Sequence, residues 1–279
     1  MSLGIVIADT YPDKRIARFA VERTLRELPV DECLLLSDEP FVPGARHVKI
    51  EPLKNISQYN ALTLDQLPEW TGCDTTLLIQ WDGFALAGHR WRRDFTDFDY
   101  IGAPWPHMAS AVGNGGFSLR SRRLLNAVQR LRKDEPQADI DTAEDLQICF
   151  KYRDALQAQG LRFPDAELAL AFACERQPAA PAWADLPANG LSSFGFHGVF
   201  NFPLVLDEDE VLAHWDSILP RIGKSSAVWF LLVWHAWCRR YRELGRRVLA
   251  DLGTKDAALW GQVVQAALAR GMSPQWLVA

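Results

Sequence analysis

The chain has 279 residues, a formal net charge of -5 from 30 Lys and Arg against 35 Asp and Glu, and 48% hydrophobic residues. That hydrophobic fraction fills a real core, so disorder is excluded, and the length suits one large domain or one domain with an appendage. The acidic balance lacks the basic field that holds a nucleic-acid backbone by counterion release, which excludes nucleic acid as the expected partner.

In chain order, the apolar run Leu3 to Ala8 reads as a strand, and "DTYPDKR" turns polar at its carboxyl end. The opening "MSLGIVIADT" has neither the positive region nor the cleavage site of a signal peptide, so nothing in it directs export. Ile16 to Leu28 carries apolar groups at helical spacing and is closed by Pro29. Cys33 to Leu36 and His47 to Ile50 read as strands, Ser57 to Leu67 as a helix, and Thr75 to Gln80 as the strand that delivers Asp82. The βαβαβ alternation predicts a mainly parallel sheet with helices on both faces. On such a sheet ligands bind outside the carboxyl ends of the strands, so Asp9, Thr10 and Asp82 are expected on one rim.

Beyond Asp82 an aromatic, Pro- and Gly-rich passage leads to a strand from Gly116 to Leu119 and a helix from Ser121 to Leu131. "DIDTAEDLQIC" predicts a helix with Asp141 or Thr142 as N-cap, "RQPAAPAWADLPANG" a flexible linker, and "SSFGFHGVFNFP" an aromatic strand. From about Asp207 the pattern is helical, so the expected domains are 1–206 and a helical appendage, 207–279. The longest apolar run, Ala227 to Cys238, is well short of the roughly 20 residues that cross a bilayer. It reads as core, with the alternative that it and the following "CRRYRELGRR" rest on an anionic membrane surface. Cys33, Cys73, Cys149, Cys174 and Cys238 are odd in number, widely spaced and without a CxxC, which predicts reduced thiols in a cytoplasmic setting.

Four short stretches carry chemistry. Asp82 ends an apolar strand in "LLIQWDGF", where a carboxylate binds Mg²⁺ or Mn²⁺ holding a diphosphate, or simply starts an Asp-Gly turn. The glycines of "GNGGFSLRS" let backbone amides approach a ligand, or make a tight turn. Glu144 and Asp145 open a helix whose dipole favours their ionised forms, and an ionised carboxylate beside a pocket is a general base toward a sugar hydroxyl. His197 in "FGFHG" is either a second ligand for the metal on Asp82 or a core His bonded to a carbonyl. His89, His107 and His214 have no such setting and read as surface or packing residues. Neither GxxxxGK[ST] nor a GxGxxG after the first strand is present.

In this order, "IQWDGF", "YIGAPW", "GNGGFSLRS", "AEDLQIC" and "FGFHG" resemble the DUF5672 family of bacterial and fungal domains, related to glycosyltransferases of the GT-A fold, over roughly Ile5 to Pro203. The resemblance implies a GT-A-like, Rossmann-like mixed α/β sheet and a metal-assisted transfer of sugar from a nucleotide-sugar, such as a UDP-sugar, to a glycan or lipid-linked glycan. Galactosyltransferase-type enzymes are a looser likeness, with an Asp-x-Asp metal motif, a Gly-Gly-Phe segment near the acceptor, a Glu-Asp pair and a late His on the metal. Carried over, Asp82 and His197 hold Mn²⁺ or Mg²⁺, Asn114, Gly115, Gly116 and Phe117 meet the acceptor, and Asp145 is the base with Glu144 as alternative. Ala8, Asp9, Thr10, Arg18, Gln80, Trp81 and Asp82 face the donor, with Arg18 on the phosphates. Gln80 departs from the pattern by standing where the first Asp of Asp-x-Asp is expected. An inverting transfer is the leading reading. A noncatalytic nucleotide- or carbohydrate-binding module with a degraded metal motif, and a nucleotidyl- or phosphoryl-transfer enzyme, are the competitors.

Overall fold

The computed structural model describes residues 1–105, 112–135, 141–176, 191–273 and 276. His107 and most of the expected linker, 177–190, lie outside them. The chain divides into two compact units, Met1–Ala179 with Ser192–His197, and Ala180–Leu191 with Gly198–Ala279. The sequence places its boundary near Leu206, and the division of compact units falls at Gly198.

In the first unit, strand β1 (Leu3–Ala8) is followed by helix α1 (Arg15–Glu27), β2 (Glu32–Ser37) and β3 (Arg46–Lys49). Helix α2 (Ile56–Asn60) runs through a π-helical stretch, Ala61–Gln66, into α3 (Leu67–Trp70), and β4 (Thr75–Ile79) follows. The expected helix over 57–67 is therefore the middle of a longer one, capped by the Asn55 side chain, which accepts from the Gln58 N–H. After β4 come β5 (Tyr100–Ile101), β6 (Phe117–Ser121) and α4 (Arg122–Asp134). Helices α5 (Glu144–Leu146), α6 (Arg153–Ala158) and α7 (Ala166–Phe172) lead to a small second sheet of β7 (Ala173–Cys174) and β8 (Gly195–Phe196).

The main sheet has six strands in the order β3-β2-β1-β4-β6-β5. The first four are mutually parallel, and β6 runs antiparallel to both β4 and β5. Apolar runs form β1, β2 and β4 because both faces are covered, and the period of two sorts their side chains. Ile5, Ile7, Leu35, Leu77 and Ile79 pack with Ala17 and Val21 of α1. Val6, Leu34, Leu36 and Leu78 belong to a separate cluster with Leu62, Leu67 and Leu125 from the helices of the opposite face.

The second unit contains α8 (Phe202–Val205), α9 (Glu208–Ile218), α10 (Ser226–Cys238), α11 (Arg242–Lys255) and α12 (Ala257–Ala269). Helix α9 starts on a full capping box, in which Asp207 and Glu210 satisfy each other's backbone N–H groups. Every residue of α10 from Trp229 to Ala236 is buried, so its apolar surface is used within the protein and none of that stretch is left for a bilayer. No described helix is long and apolar enough to cross a membrane. The strand expected over "SSFGFHGVFNFP" is confined to Gly195–Phe196. Gly198 turns the chain at a φ of 98°, and a 3-10 turn and the Pro-initiated α8 take up the rest.

Candidate functional site

The strand order changes direction between β1 and β4: β2 and β3 lie on one side of β1, and β4 and β6 on the other. Such a switch point leaves a crevice at the carboxyl ends of the strands, where open α/β sheets bind their ligands. Register fixes what stands there. Ile7 pairs with Ile79 and Ala8 with Leu36, so Ala8-Asp9-Thr10 and Gln80-Trp81-Asp82 leave the sheet side by side. Because β6 is antiparallel to β4, with Ile79 opposite Phe117, its leading segment Asn114-Gly115-Gly116 reaches the same rim, tied by the Gln80 N–H to the Gly116 carbonyl at 2.8 Å.

Asp82 sits in a turn, with the Gly83 N–H on the Gln80 carbonyl at 3.1 Å, and it is also buried on the rim, so the two readings of "WDG" are compatible. His197, just past β8, brings Nε2 to 3.3 Å from Asp82 Oδ1 and 3.2 Å from Gln80 Oε1. Its other nitrogen, Nδ1, lies 3.5 Å from Glu175 Oε1. Glu175 follows β7 as His197 follows β8, and the parallel pairing of these strands sets the two side by side. Burial works against charge on His197, but Asp82 and Glu175 outweigh it and push the imidazole up to about 10.

The glycine segment passes directly over these groups. A Cβ at Gly116 would overlap the His197 ring, and one at Gly115 would overlap the Glu144 carboxylate, so the close approach itself requires glycine. Asn114 takes a φ of 26°, a backbone region Asn tolerates better than most residues. Asp145 Oδ2 accepts from the Gly115 N–H at 2.8 Å and its Oδ1 from the Leu146 N–H, so this half-buried carboxylate anchors the segment.

Glu144 is buried and accepts from Arg120 Nη2 at 2.8 Å, a pair in which Arg120 is itself fully buried. The second oxygen of Glu144 has no hydrogen-bond partner among the described residues. Burial pushes the Glu144 carboxyl up to about 7, against the pull of Arg120. Burial rather than the helix start governs this group, since α5 is one turn long and its N-cap is Ala143, with no side-chain cap. The expected caps are used elsewhere: Asp141 accepts from Ser57 Oγ, and the Thr142 carbonyl from Asn60 Nδ2.

The remaining donor-side residues are spread more widely. Asp9 is buried, accepts from the Tyr11 N–H at 2.9 Å, and lies 3.8 Å from Lys14 Nζ. Thr10 Oγ1 accepts from the Leu53 N–H at 2.8 Å, and Trp81 packs partly against the core. Arg18 is half exposed on α1, bonded to Glu22 at 2.6 Å, and lines a separate surface cleft of about 730 Å³ with Lys14, Arg15 and Phe41. Sequence reasoning missed Glu175, Arg120 and Tyr59, whose hydroxyl accepts from Gln80 Nε2 at 3.1 Å. The signal was present for two of them: Glu175 is a carboxylate at a strand end, as Asp82 is, and Arg120 is a charge within an apolar strand.

Among the described residues no group of three or more His, Cys, Asp or Glu is suited to a metal ion. Asp82 and His197 nevertheless offer an oxygen and a nitrogen 3.3 Å apart, a spacing suited to neighbouring ligands of one ion, and Gln80 Oε1 adds a neutral oxygen. Mg²⁺ and Mn²⁺ in phosphate-handling sites are held by one or two carboxylates and completed by substrate oxygens. The donor set fits an open site of that kind.

No curated protein matches the sequence. Among solved structures, a glycosyltransferase involved in the glycosylation of the major capsid of PBCV-1 is similar at 12% identity and a TM-score of 0.45, covering 71% of this chain and 92% of that one. The glycosyltransferase GlyE of Streptococcus pneumoniae TIGR4 is 13% identical with a TM-score of 0.42, covering 77% and 63%. The galactosyltransferase LgtC, in complex with donor and acceptor sugar analogs, is 12% identical with a TM-score of 0.37, covering 70% and 86%. The family described as "Protein of unknown function (DUF5672)" matches residues 44–197, which hold β4, the glycine segment, the Glu144-Asp145 pair and His197. That match spans more than half of the 279 residues, and the chain belongs to the DUF5672 family.

Proposed function

We propose that this chain is an inverting, metal-assisted glycosyltransferase of GT-A-like fold, moving a sugar from a UDP-sugar to a glycan or lipid-linked glycan. The observation that carries the reading is the approach of His197 Nε2 to Asp82 Oδ1, 3.3 Å, at the switch point of the sheet and under the glycine segment. The ordered motifs and their resemblance to GT-A glycosyltransferases support it.

Asp9 and Thr10 face the nucleotide, and Gln80 and Trp81 its ribose. Asp82 and His197 hold Mn²⁺ or Mg²⁺, which when bound offsets the charge that develops on the leaving diphosphate. The Asn114-Gly115-Gly116-Phe117 segment positions the acceptor. Asp145, half-buried and fixed to that segment through the Gly115 N–H, takes the proton of the attacking hydroxyl. Glu144, paired with Arg120, packs against Gly115 of that segment. The surface cleft that Arg18 lines contains none of these rim residues, so Arg18 is left out of the phosphate contacts.

One observation favours a second reading. Gln80 in place of a carboxylate, with no cluster of three metal-binding residues among those described, suits a noncatalytic nucleotide- or carbohydrate-binding module. A panel of nucleotide sugars separates the two: slow release of nucleoside diphosphate that requires Mn²⁺ supports the transferase, and binding without release supports the module. Release of pyrophosphate instead would indicate nucleotidyl transfer, and neither binding nor turnover with any donor would end the proposal.

A further inference from the structure

We infer that Glu175 is a positioning residue for the metal site: it fixes the His197 ring from its Nδ1 side so that Nε2 points at the ion held with Asp82. This rests on the metal-assisted reading above. Three observations carry it. Glu175 Oε1 lies 3.5 Å from His197 Nδ1, while the opposite nitrogen faces Asp82 Oδ1 at 3.3 Å and Gln80 Oε1 at 3.2 Å, so the ring is bracketed along its long axis. The bracket is built into the backbone, since β7 and β8 pair in parallel, Cys174 opposite Phe196, and the His197 N–H bonds the Cys174 carbonyl at 3.1 Å. The third wall is Gly116, which admits no side chain beside the ring.

The chemistry gives this arrangement a direction. A neutral imidazole binds metal through one nitrogen only when the other carries the proton, and a carboxylate on that second nitrogen fixes both the tautomer and the ring plane. Glu175 is the carboxylate on the Nδ1 side, so a cation that displaces the Nε2 proton, which now faces Asp82 and Gln80, meets a ring whose remaining N–H is held toward Glu175. It touches neither donor nor acceptor in this scheme and acts through His197.

Two variants and two readouts test this. Crystals of Glu175→Ala grown without metal or nucleotide should show the imidazole displaced or split between orientations, whereas Glu175→Gln, which keeps an acceptor oxygen, should hold the parent ring. By calorimetry with UDP present, Mn²⁺ affinity should fall about 10- to 100-fold in Glu175→Ala, with a smaller loss in Glu175→Gln. An unmoved ring together with Mn²⁺ affinity within about twofold of the parent overturns the assignment, whatever the value of the activity. Parent protein that binds no Mn²⁺ with UDP overturns the metal-assisted function itself, and the ring orientation in metal-free crystals still decides whether Glu175 positions His197.

Discussion

The rim of the sheet and the C-terminal helical unit bury different kinds of group. Around the rim the buried set includes Asp9, Lys14, Asp82, Asn114, Arg120 and Glu144, whereas among the described residues of the helical unit the buried polar side chains are Asn201, Ser217 and His235. Taking charge out of water costs several kcal/mol unless it is paired, and the rim pairs what it buries: Arg120 with Glu144, Lys14 with Asp9 and Asp38, and Asp82 with His197. The helical unit follows the ordinary rule, with Trp215, Trp229 and Leu232 packed away and His235 Nδ1 bonded to the Phe200 carbonyl at 2.6 Å. The difference separates a region that buries charge from one packed almost wholly by apolar groups, and on the proposed function substitutions in the two should fail differently.

The largest effect expected is on turnover. Asp145→Asn keeps one of the two backbone N–H bonds, that from Gly115 when its oxygen faces the glycine segment, but cannot accept a proton, so kcat should fall about 10²- to 10⁴-fold, with donor affinity by calorimetry near that of the parent. Equal kcat in the variant would remove Asp145 from the proton transfer. In the helical unit, Trp229→Ala should lower unfolding stability by about 3–5 kcal/mol while the variant, once folded, binds donor as the parent does. Weakened donor binding in well-folded Trp229→Ala would break the comparison between the two regions.

Acid sharpens it further. Burial pulls His235 down from its ordinary 6.5 to about 4, so the fold favours the neutral ring. The associated stability is complete above about 6.5 and is lost as pH falls from there through about 4. It amounts to about 3 kcal/mol over that window, and thermal melts of His235→Gln should lack that part of the acid loss. A parent and variant that lose stability in parallel between those pH values would contradict the assignment. Smallest of the four, Asp82→Ala should weaken donor binding about 10-fold or more when Mn²⁺ is present and leave metal-free binding unchanged. Equal weakening in both conditions would make Asp82 a direct donor contact rather than a metal ligand.

Much of the fold was legible because its signals are local. The β1, β2 and β4 runs and the amphipathic α1 and α4 announce themselves by periodicity, and the rim follows from the parallel order of the strands. The candidate site was legible where a local pattern marks it: Asp82 and His197 at strand ends, the glycines before β6, and the acidic pair that opens α5. Glu175 and Arg120 carry a local signal, but its meaning depends on pairings across the chain: β7 with β8, and β6 with the start of α5. The same holds for Glu144, whose ionisation is set by burial against Arg120, a quantity no helix-start rule contains. Arg18, expected on the phosphates from the resemblance alone, has its side chain bonded to Glu22 on the exposed face of α1.

The central claim is that Asp82 and His197 share one divalent cation at the switch point. A crystal structure with UDP and Mn²⁺, with anomalous data collected at the manganese edge, tests it most directly. A single anomalous peak in bonding contact with Asp82 Oδ1 and His197 Nε2, beside the bound UDP, is the expected result. UDP bound at the rim with no peak between those two side chains, or a peak elsewhere on the protein, would contradict it.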